Sequence, residues 1–128
     1  METISTRGIR VSVHPAFKKE HSEPKQGQFV FSYEVIIKNE SHQPVQLLSR
    51  HWYIFDSSGV KREVVGDGVI GEQPILEPGQ EHHYQSWCPL MTDMGSMSGT
   101  YTMKNLESGE RFEANIPKFQ LIAPYKLS

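Results

Sequence analysis

The first residues whose spacing could support chemistry form a glycine-rich stretch in the middle of the chain. Residues 66–71 read GDGVIG and match the pattern G-x-G-x-x-G, which in dinucleotide-binding domains lies between a strand and the helix that holds a pyrophosphate. Val64 and Val65 supply a strand, but Pro74 and Pro78 stand where the helix would have to lie. The stretch therefore argues against a dinucleotide fold. Two interpretations remain: backbone amides that hold an anion, or a turn in which glycine permits positive φ.

A second set consists of three methionines spaced by three residues, Met91, Met94 and Met97. Thioether sulfur is a soft ligand suited to Cu(I), so a copper site is one interpretation of this spacing. The segment also contains several glycines and serines, which indicates a flexible loop. In that interpretation the methionines pack on the domain or against a partner.

The histidines and the single cysteine give weaker signals. His82 and His83 are adjacent, and adjacent residues of a strand point to opposite faces, so the pair does not converge on one ion. Cys88 lies in no recognisable nucleophile motif and is interpreted as a small buried thiol. We therefore expect no catalytic residue, no metal ligand set and no cofactor.

Short segments with period-two alternation must position these residues. From Gln28 to Asn39, apolar side chains occupy every second position and are mostly aromatic or β-branched, which predicts a half-buried strand. Turn sequences such as Pro78-Gly79 separate further strands. These are predicted at residues 9–13, 44–56, 60–65, 80–88, 99–106 and 111–116.

Two local features refine this pattern. The alternation changes phase around Ser49 and Arg50, where we expect a β-bulge, and Pro117 is expected to end its strand, with residues 119–121 as an edge piece. Seven or eight short strands with turn chemistry between them predict an all-β fold. The prediction is a fibronectin type III or immunoglobulin-like antiparallel β-sandwich, a single domain over residues 1–128. Phe31, Tyr33 and Trp52 are its predicted core.

Composition limits the classes of function. The chain has 128 residues, the size of one domain, and its 13 Lys and Arg against 15 Asp and Glu give a net charge of −2. This charge excludes a dedicated polycation for duplex nucleic acid. No apolar run approaches the roughly 20 residues that span a bilayer, and no signal-peptide pattern is seen. One cysteine excludes an internal disulfide, so we expect a soluble cytoplasmic domain that binds neither nucleic acid nor membranes.

Residues 66–79, GDGVIGEQPILEPG, resemble the signature of the ApaG family, also called CorD. The resemblance extends to LSRHW at residues 48–52, YQS at 84–86, CPL at 88–90 and YTM at 101–103. It implies a fibronectin type III-like sandwich without established enzyme activity. A similar domain is attached to F-box proteins, which implies protein–protein interaction. The resemblance also implies an association with cobalt and magnesium homeostasis and with dinucleoside polyphosphate hydrolysis, neither of which identifies a ligand.

The first functional hypothesis is a non-catalytic module that binds a protein partner through end loops and edge strands. We expect the glycine segment and the methionine loop to lie near one end of the sandwich and to form the binding surface. Its residues are Gly66, Asp67, Gly68, Val69, Gly71, Met91, Met94 and Met97.

The alternative is binding of a phosphate-containing small molecule, a nucleotide or pyrophosphate, by the backbone amides of Gly66–Gly71. Lys61 and Arg62 lie nearby in sequence and would supply positive charge. Metal sensing through His and Met side chains is a third hypothesis. An exposed edge strand could also pair two copies, so a homodimer is an open alternative.

Overall fold

The computed structural model of the chain describes residues 1–127, which form nine strands and three short 3₁₀ segments. The strands are β1 (Glu2–Thr6), β2 (Ile9–Phe17), β3 (Phe29–Asn39), β4 (Val45–Asp56), β5 (Lys61–Asp67), β6 (Ile75–Leu76), β7 (Glu81–Leu90), β8 (Met94–Asn105) and β9 (Arg111–Ile122). The 3₁₀ segments are Lys19–His21, Pro24–Gln26 and Pro124–Leu127. None of the described segments is a helix with the length and apolar character needed to cross a membrane.

The strands pair into two antiparallel sheets that enclose one hydrophobic core. The first sheet has the order β1-β2-β3-β7, and the second has the order β5-β4-β8-β9, with β6 also pairing with β4. This arrangement confirms the predicted antiparallel sandwich. The described strands outnumber the seven or eight predicted. Both β1 and β6 escaped prediction, because β1 has a single large apolar residue, Ile4, and β6 is only two residues long.

Alternate residues of the inner strands form the core. Phe31 and Tyr33 of β3 are buried, and Trp52 of β4 is only 2 % exposed. The rings of Tyr33 and Trp52 meet edge to face, with their centroids 5.2 Å apart. Each large side chain buried in this way contributes about 1.5–3 kcal/mol. The predicted core residues are confirmed.

A β-bulge in β4 changes which side chains face the core. Leu47 and Trp52 are five residues apart and would face opposite sides of a regular strand, yet both are buried. The pairing of β4 with β8 shifts register between Leu47 and Ser49, one residue before the predicted position. Arg50 has the parity of Trp52 and therefore faces the inner side. The outward positions after the bulge are His51, Tyr53 and Phe55.

Strands β8 and β9 are longer than predicted. β8 begins at Met94 instead of Gly99, and β9 continues through Pro117 to Ile122. The register of the β8–β9 pair shifts beside Pro117, so the proline lies in a bulge where it need not donate a ladder hydrogen bond. The prediction that Pro117 ends its strand is wrong for this reason.

Candidate functional site

The glycine segment is part strand and part hairpin. Gly66 and Asp67 end β5, and Val69 and Glu72 exchange two backbone hydrogen bonds of 2.8 and 3.0 Å around the intervening residues. The N–H of Gly68 donates to the carbonyl oxygen of Leu48 at 2.8 Å. The amides of Gly68, Val69 and Glu72 are thus bonded within the protein. They do not form the open anion nest that the phosphate interpretation of this segment requires.

The hairpin turns on Ile70 and Gly71, whose φ angles are +48° and +75°. These values and the Val69–Glu72 hydrogen bond are those of a type I′ turn. Gly71 adopts this conformation freely, but Ile70 is β-branched and is strained there. The Ile70 side chain is 62 % exposed at the tip.

Val69 does not belong to an exposed surface. It is 1 % exposed and packs in the hydrophobic core. The prediction that Val69 contributes to a binding surface is wrong, because the hairpin directs its first residue inward and presents its neighbour Ile70 to solvent.

The methionine segment divides in a similar way. Met91 and Met94 are exposed, whereas Met97 lies inside β8 and is 1 % exposed, so its predicted place on the surface is also wrong. The turn is held by Asp56, which accepts hydrogen bonds from the N–H of Met91 and the hydroxyl of Thr92, both at 2.6 Å. Burial pushes the pKa of Asp56 upward, but hydrogen bonds from Thr92, Met91 and Ser58 outweigh it and hold this pKa below its usual value.

The two predicted segments lie far apart along β4. Gly68 is bonded to Leu48, and Met91 is bonded to Asp56. Eight residues of extended strand separate Leu48 from Asp56, a distance of roughly 26 Å at 3.3 Å per residue. The expectation that both segments form one surface at one end of the sandwich is therefore wrong.

An exposed row of aromatic side chains on the outside of β4 was missed by sequence reasoning. Tyr53 and Phe55 are 45 % and 43 % exposed, and the ring of His51 stacks on Tyr53 with centroids 4.4 Å apart. Phe55 pairs with Ser96 of β8, so Met94, two residues before Ser96, lies on the same face. We call His51, Tyr53, Phe55 and Met94 the aromatic face. The bulge was the signal that could have revealed it, because it turns His51, Tyr53 and Phe55 outward.

The depression beside the aromatic face carries a net positive charge. It has a volume of about 440 Å³ and is lined by the small side chains Ser96 and Ser98 and by Lys61, Arg62 and Lys118. Glu63 also lines it, but its carboxylate lies 3.2 Å from the Nε2 atom of His51. The face can therefore receive an apolar segment that carries acidic side chains.

Gly66 has a packing role that its motif does not suggest. A Cβ atom at this position would lie 2.8 Å from Nη1 of Arg50, so glycine makes room for the guanidinium group. Nη1 of Arg50 donates to the carbonyl oxygens of Asp67 and Gly68, both at 3.0 Å. The glycine motif and the inward-facing arginine of the bulged strand are thus one structural unit.

The histidines do not converge. His51, His82 and His83 each have a glutamate within 4 Å, but the three pairs involve different glutamates. Among residues 1–127, no three His, Cys, Asp or Glu side chains are placed to hold one metal ion. Cys88 is a free, buried thiol whose pKa is raised chiefly by burial.

Two antiparallel sheets packed around one core, with an aromatic face on the second sheet, define an all-β sandwich domain of the fibronectin type III or immunoglobulin-like class. The family model described as the ApaG domain matches residues 19–105, more than half of the chain. The chain belongs to the ApaG family.

Individual relatives agree with this assignment. The chain is similar to the protein ApaG of Anaeromyxobacter dehalogenans (strain 2CP-C), at 49 % identity over 128 residues that cover 100 % of both chains. It is 49 % identical to the protein ApaG of Methylorubrum extorquens (strain PA1) over 98 % of this chain and 95 % of the relative. A crystal structure from Bordetella pertussis, described as an ApaA protein, superposes with a TM-score of 0.88 at 46 % identity, over 91 % of this chain and 94 % of that one.

Proposed function

We propose that this protein is a non-catalytic module that binds a protein partner through the aromatic face. The main observation in support is that Tyr53 and Phe55 lie on the same outer face of β4 and are both nearly half exposed. Aromatic side chains in a water-accessible cluster are typical of the centres of protein interfaces. The serines of β8 leave a depression beside them that an apolar side chain of the partner can fill.

Charge favours a particular kind of partner. Lys61 and Lys118 line the depression, while Glu63, the acid beside them, lies close to His51. We propose that the partner presents an extended segment with an apolar or aromatic side chain flanked by Asp or Glu. Electrostatic attraction would raise the association rate and would weaken with salt.

The predicted residues enter this proposal only in part. Met94 belongs to the aromatic face, whereas Gly66, Asp67, Gly68 and Gly71 shape the hairpin that exposes Ile70. The alternative, a phosphate or nucleotide bound by the amides of that segment, has weaker support because several of those amides are bonded internally. In this proposal, a link to cobalt and magnesium homeostasis would act through the partner protein. The module would work in the cytoplasm. It would be a monomer, or a dimer in which two copies pair through the free edge of β7.

The test compares two exposed aromatic surfaces on opposite sheets. A Tyr53→Ser, Phe55→Ser double variant removes the aromatic face, and Trp87→Ser removes an aromatic side chain that is 48 % exposed on the other sheet. Each variant, after circular dichroism has confirmed its fold, is cross-linked in a native lysate, and the captured proteins are quantified by mass spectrometry. The proposal expects a partner that the double variant loses and Trp87→Ser retains. If every captured protein is retained by the double variant, the aromatic face is not the binding surface.

Non-catalytic character is part of this proposal. In the described residues, Cys88 is bonded to no histidine, and four of the six histidines, His21, His51, His82 and His83, each lie within 4 Å of a glutamate. A nucleophile needs a base within hydrogen-bond reach, which this arrangement does not supply. Turnover of a substrate that one side-chain change abolishes would contradict the proposal.

A further inference from the structure

A small cleft separates the edge strands β5 and β7 and reaches into the core. Its volume is about 170 Å³, several times the roughly 30 Å³ that one water molecule occupies in the liquid. Arg50, Trp52 and Arg62 line it from the second sheet. Tyr33, Ser86 and Cys88 line it from the first sheet.

Trp52, which lines this cleft, has a buried donor without a partner. Its indole Nε1–H has no hydrogen-bond acceptor anywhere in residues 1–127, although the side chain is only 2 % exposed. Buried polar groups nearly always have a partner, so an unpaired one in a residue that borders a cavity calls for an explanation. A bound acceptor that the protein itself does not contain supplies one.

Two arginines in the cleft also lack a carboxylate partner within the described chain. Arg50 uses its Nη1 atom on two backbone carbonyls, and Arg62 uses its Nη2 atom on the carbonyl oxygen of Pro89 and on the sulfur of Cys88. A guanidinium has five N–H donors in a fixed fork, so each arginine retains donors for a ligand.

No negative charge opposes an anion here. The cleft has no carboxylate in its lining, and the nearby Asp56 directs its oxygens to Met91, Thr92 and Ser58. Burial raises the pKa of Tyr33 and of Cys88, although a hydrogen bond from Ser86 to Tyr33 and the charge of Arg62 near Cys88 oppose it. The phenol and the thiol are therefore both neutral at pH 7.

We propose that this cleft binds a phosphoryl group, held by the guanidinium groups of Arg50 and Arg62 and by the indole N–H of Trp52. Two cationic forks match the charge of about −1.5 to −2 on a phosphoryl group at pH 7, whereas a carboxylate carries a single charge. The volume admits a compact anion and excludes most of a nucleotide, since drug-sized ligands need about 300 Å³ or more. Gly66 belongs to the site because its missing side chain leaves room for Arg50.

The cleft shares Ile54 and Arg62 with the depression beside the aromatic face, but Arg50 and Trp52 line only the cleft. Lys61, the neighbour of Arg62 on β5, lines the depression and not the cleft, in keeping with the alternation of side chains along a strand. The proposed site is therefore distinct from the aromatic face. It also differs from an anion site built on the glycine segment, because its donors are side chains and not backbone amides.

The test follows the indole N–H of Trp52 by ¹H–¹⁵N NMR. The chain has two tryptophans and hence two indole signals, and Trp87→Phe assigns them. Inorganic phosphate is titrated at constant ionic strength, and acetate serves as the carboxylate arm. We expect a saturable shift of the Trp52 signal with phosphate and at least tenfold weaker binding of acetate. No saturable shift, or equal affinity for the two anions, would overturn the proposal.

Charge-matched variants then locate the site. Arg62 lies on an edge strand, and Arg62→Gln should weaken phosphate binding at least tenfold. Lys61→Gln removes the same charge from the next position of β5 and should leave the phosphate affinity within twofold of the wild-type value. Arg50→Gln should also weaken binding, and the dispersion of its amide spectrum shows whether it is folded. If Lys61→Gln weakens binding as much as Arg62→Gln does, phosphate is attracted by general surface charge and the cleft is not its site.

Discussion

Replacing Ile70 by asparagine should stabilise the protein, although the change removes a large apolar side chain. The left-handed conformation costs an L-residue roughly 1–2 kcal/mol, and asparagine tolerates it far better than a β-branched residue does. The substitution also removes some apolar burial. Ile70 is 62 % exposed, so only about a third of its side chain is buried, and losing that part of the usual 1.5–3 kcal/mol of burial energy costs about 0.5–1 kcal/mol. The expected net gain is about 0.5–1 kcal/mol, and Tm should rise by about 2–4 °C.

Ile75 provides the matched control. It is 54 % exposed and lies in β6, where its backbone does not adopt a positive φ. Ile75→Asn makes the same chemical change without relieving strain and should lower stability by about 1 kcal/mol. Urea unfolding followed by tryptophan fluorescence measures both variants. Equal losses in the two variants would refute the claim that the hairpin tip stores strain.

The same variant separates stability from binding. Ile70→Asn is expected to be at least as stable as the wild-type protein, so weaker capture of a partner by this variant cannot be attributed to unfolding. Unchanged capture would show that the hairpin tip lies outside the interface.

Three further predictions concern the loops and the core. Gly68→Ala should destabilise the protein by about 2 kcal/mol or more in urea unfolding, because φ is +61° and the new Cβ would lie 2.2 Å from the carbonyl oxygen of Glu72. Gly71→Ala is the control: φ is +75° but the space around it is open, so this change should cost about 1 kcal/mol. Val69→Ala should cost about 2 kcal/mol, in keeping with its burial, and a loss below 0.5 kcal/mol would contradict that placement. Asp56→Asn should cost about 2 kcal/mol at pH 7, since the amide cannot accept all the bonds of the carboxylate. The pKa of Asp56 is lower in the folded protein than its unfolded value of 3.8, so the charged carboxylate stabilises the fold. This stabilisation is fully present above the unfolded pKa and is lost as the pH falls through the folded pKa. In acid unfolding, the difference in stability between wild type and Asp56→Asn should therefore shrink below about pH 4.

The strands were predictable because their signal is local. The side chains of β3 alternate between core and exterior with a period of two, and burial follows that alternation from Phe29 to Ile37 except at Ser32, which is buried on the outward parity. The turns were predictable for the same reason, since the ring of Pro78 fixes φ and glycine permits the positive φ seen at Gly79 and Gly109. Where the local signal is short or polar, as in β1 and β6, the prediction failed.

The binding surface was less predictable because it depends on phase and on long-range pairing. A bulge was expected near Ser49, but only the observed register shows that it turns Tyr53 and Phe55 outward and Arg50 inward. Val69 and Met97 lie in segments rich in glycine and serine, which suggested loops, yet packing against the opposite sheet buries both. Whether a residue is buried depends on which other side chains pack against it, and those side chains come from positions distant in the sequence.

The amino-acid sequence by itself determined the all-β class, most of the strands and the core aromatics, because alternation and turn chemistry act over a few residues. Its motifs also carried the resemblance to the ApaG family. Tertiary structure alone decided that the glycine and methionine segments lie far apart along β4, that one face carries exposed aromatic rings, and that two arginines line one cleft with a tryptophan whose indole N–H is unpaired. The first two arrangements follow from the bulge and the strand pairing of β4, and the cleft forms where the edge strands β5 and β7 of the two sheets meet. The hydrogen bonds that hold the two segments and the two arginines join residues 17 to 35 positions apart, and no local pattern encodes such a separation.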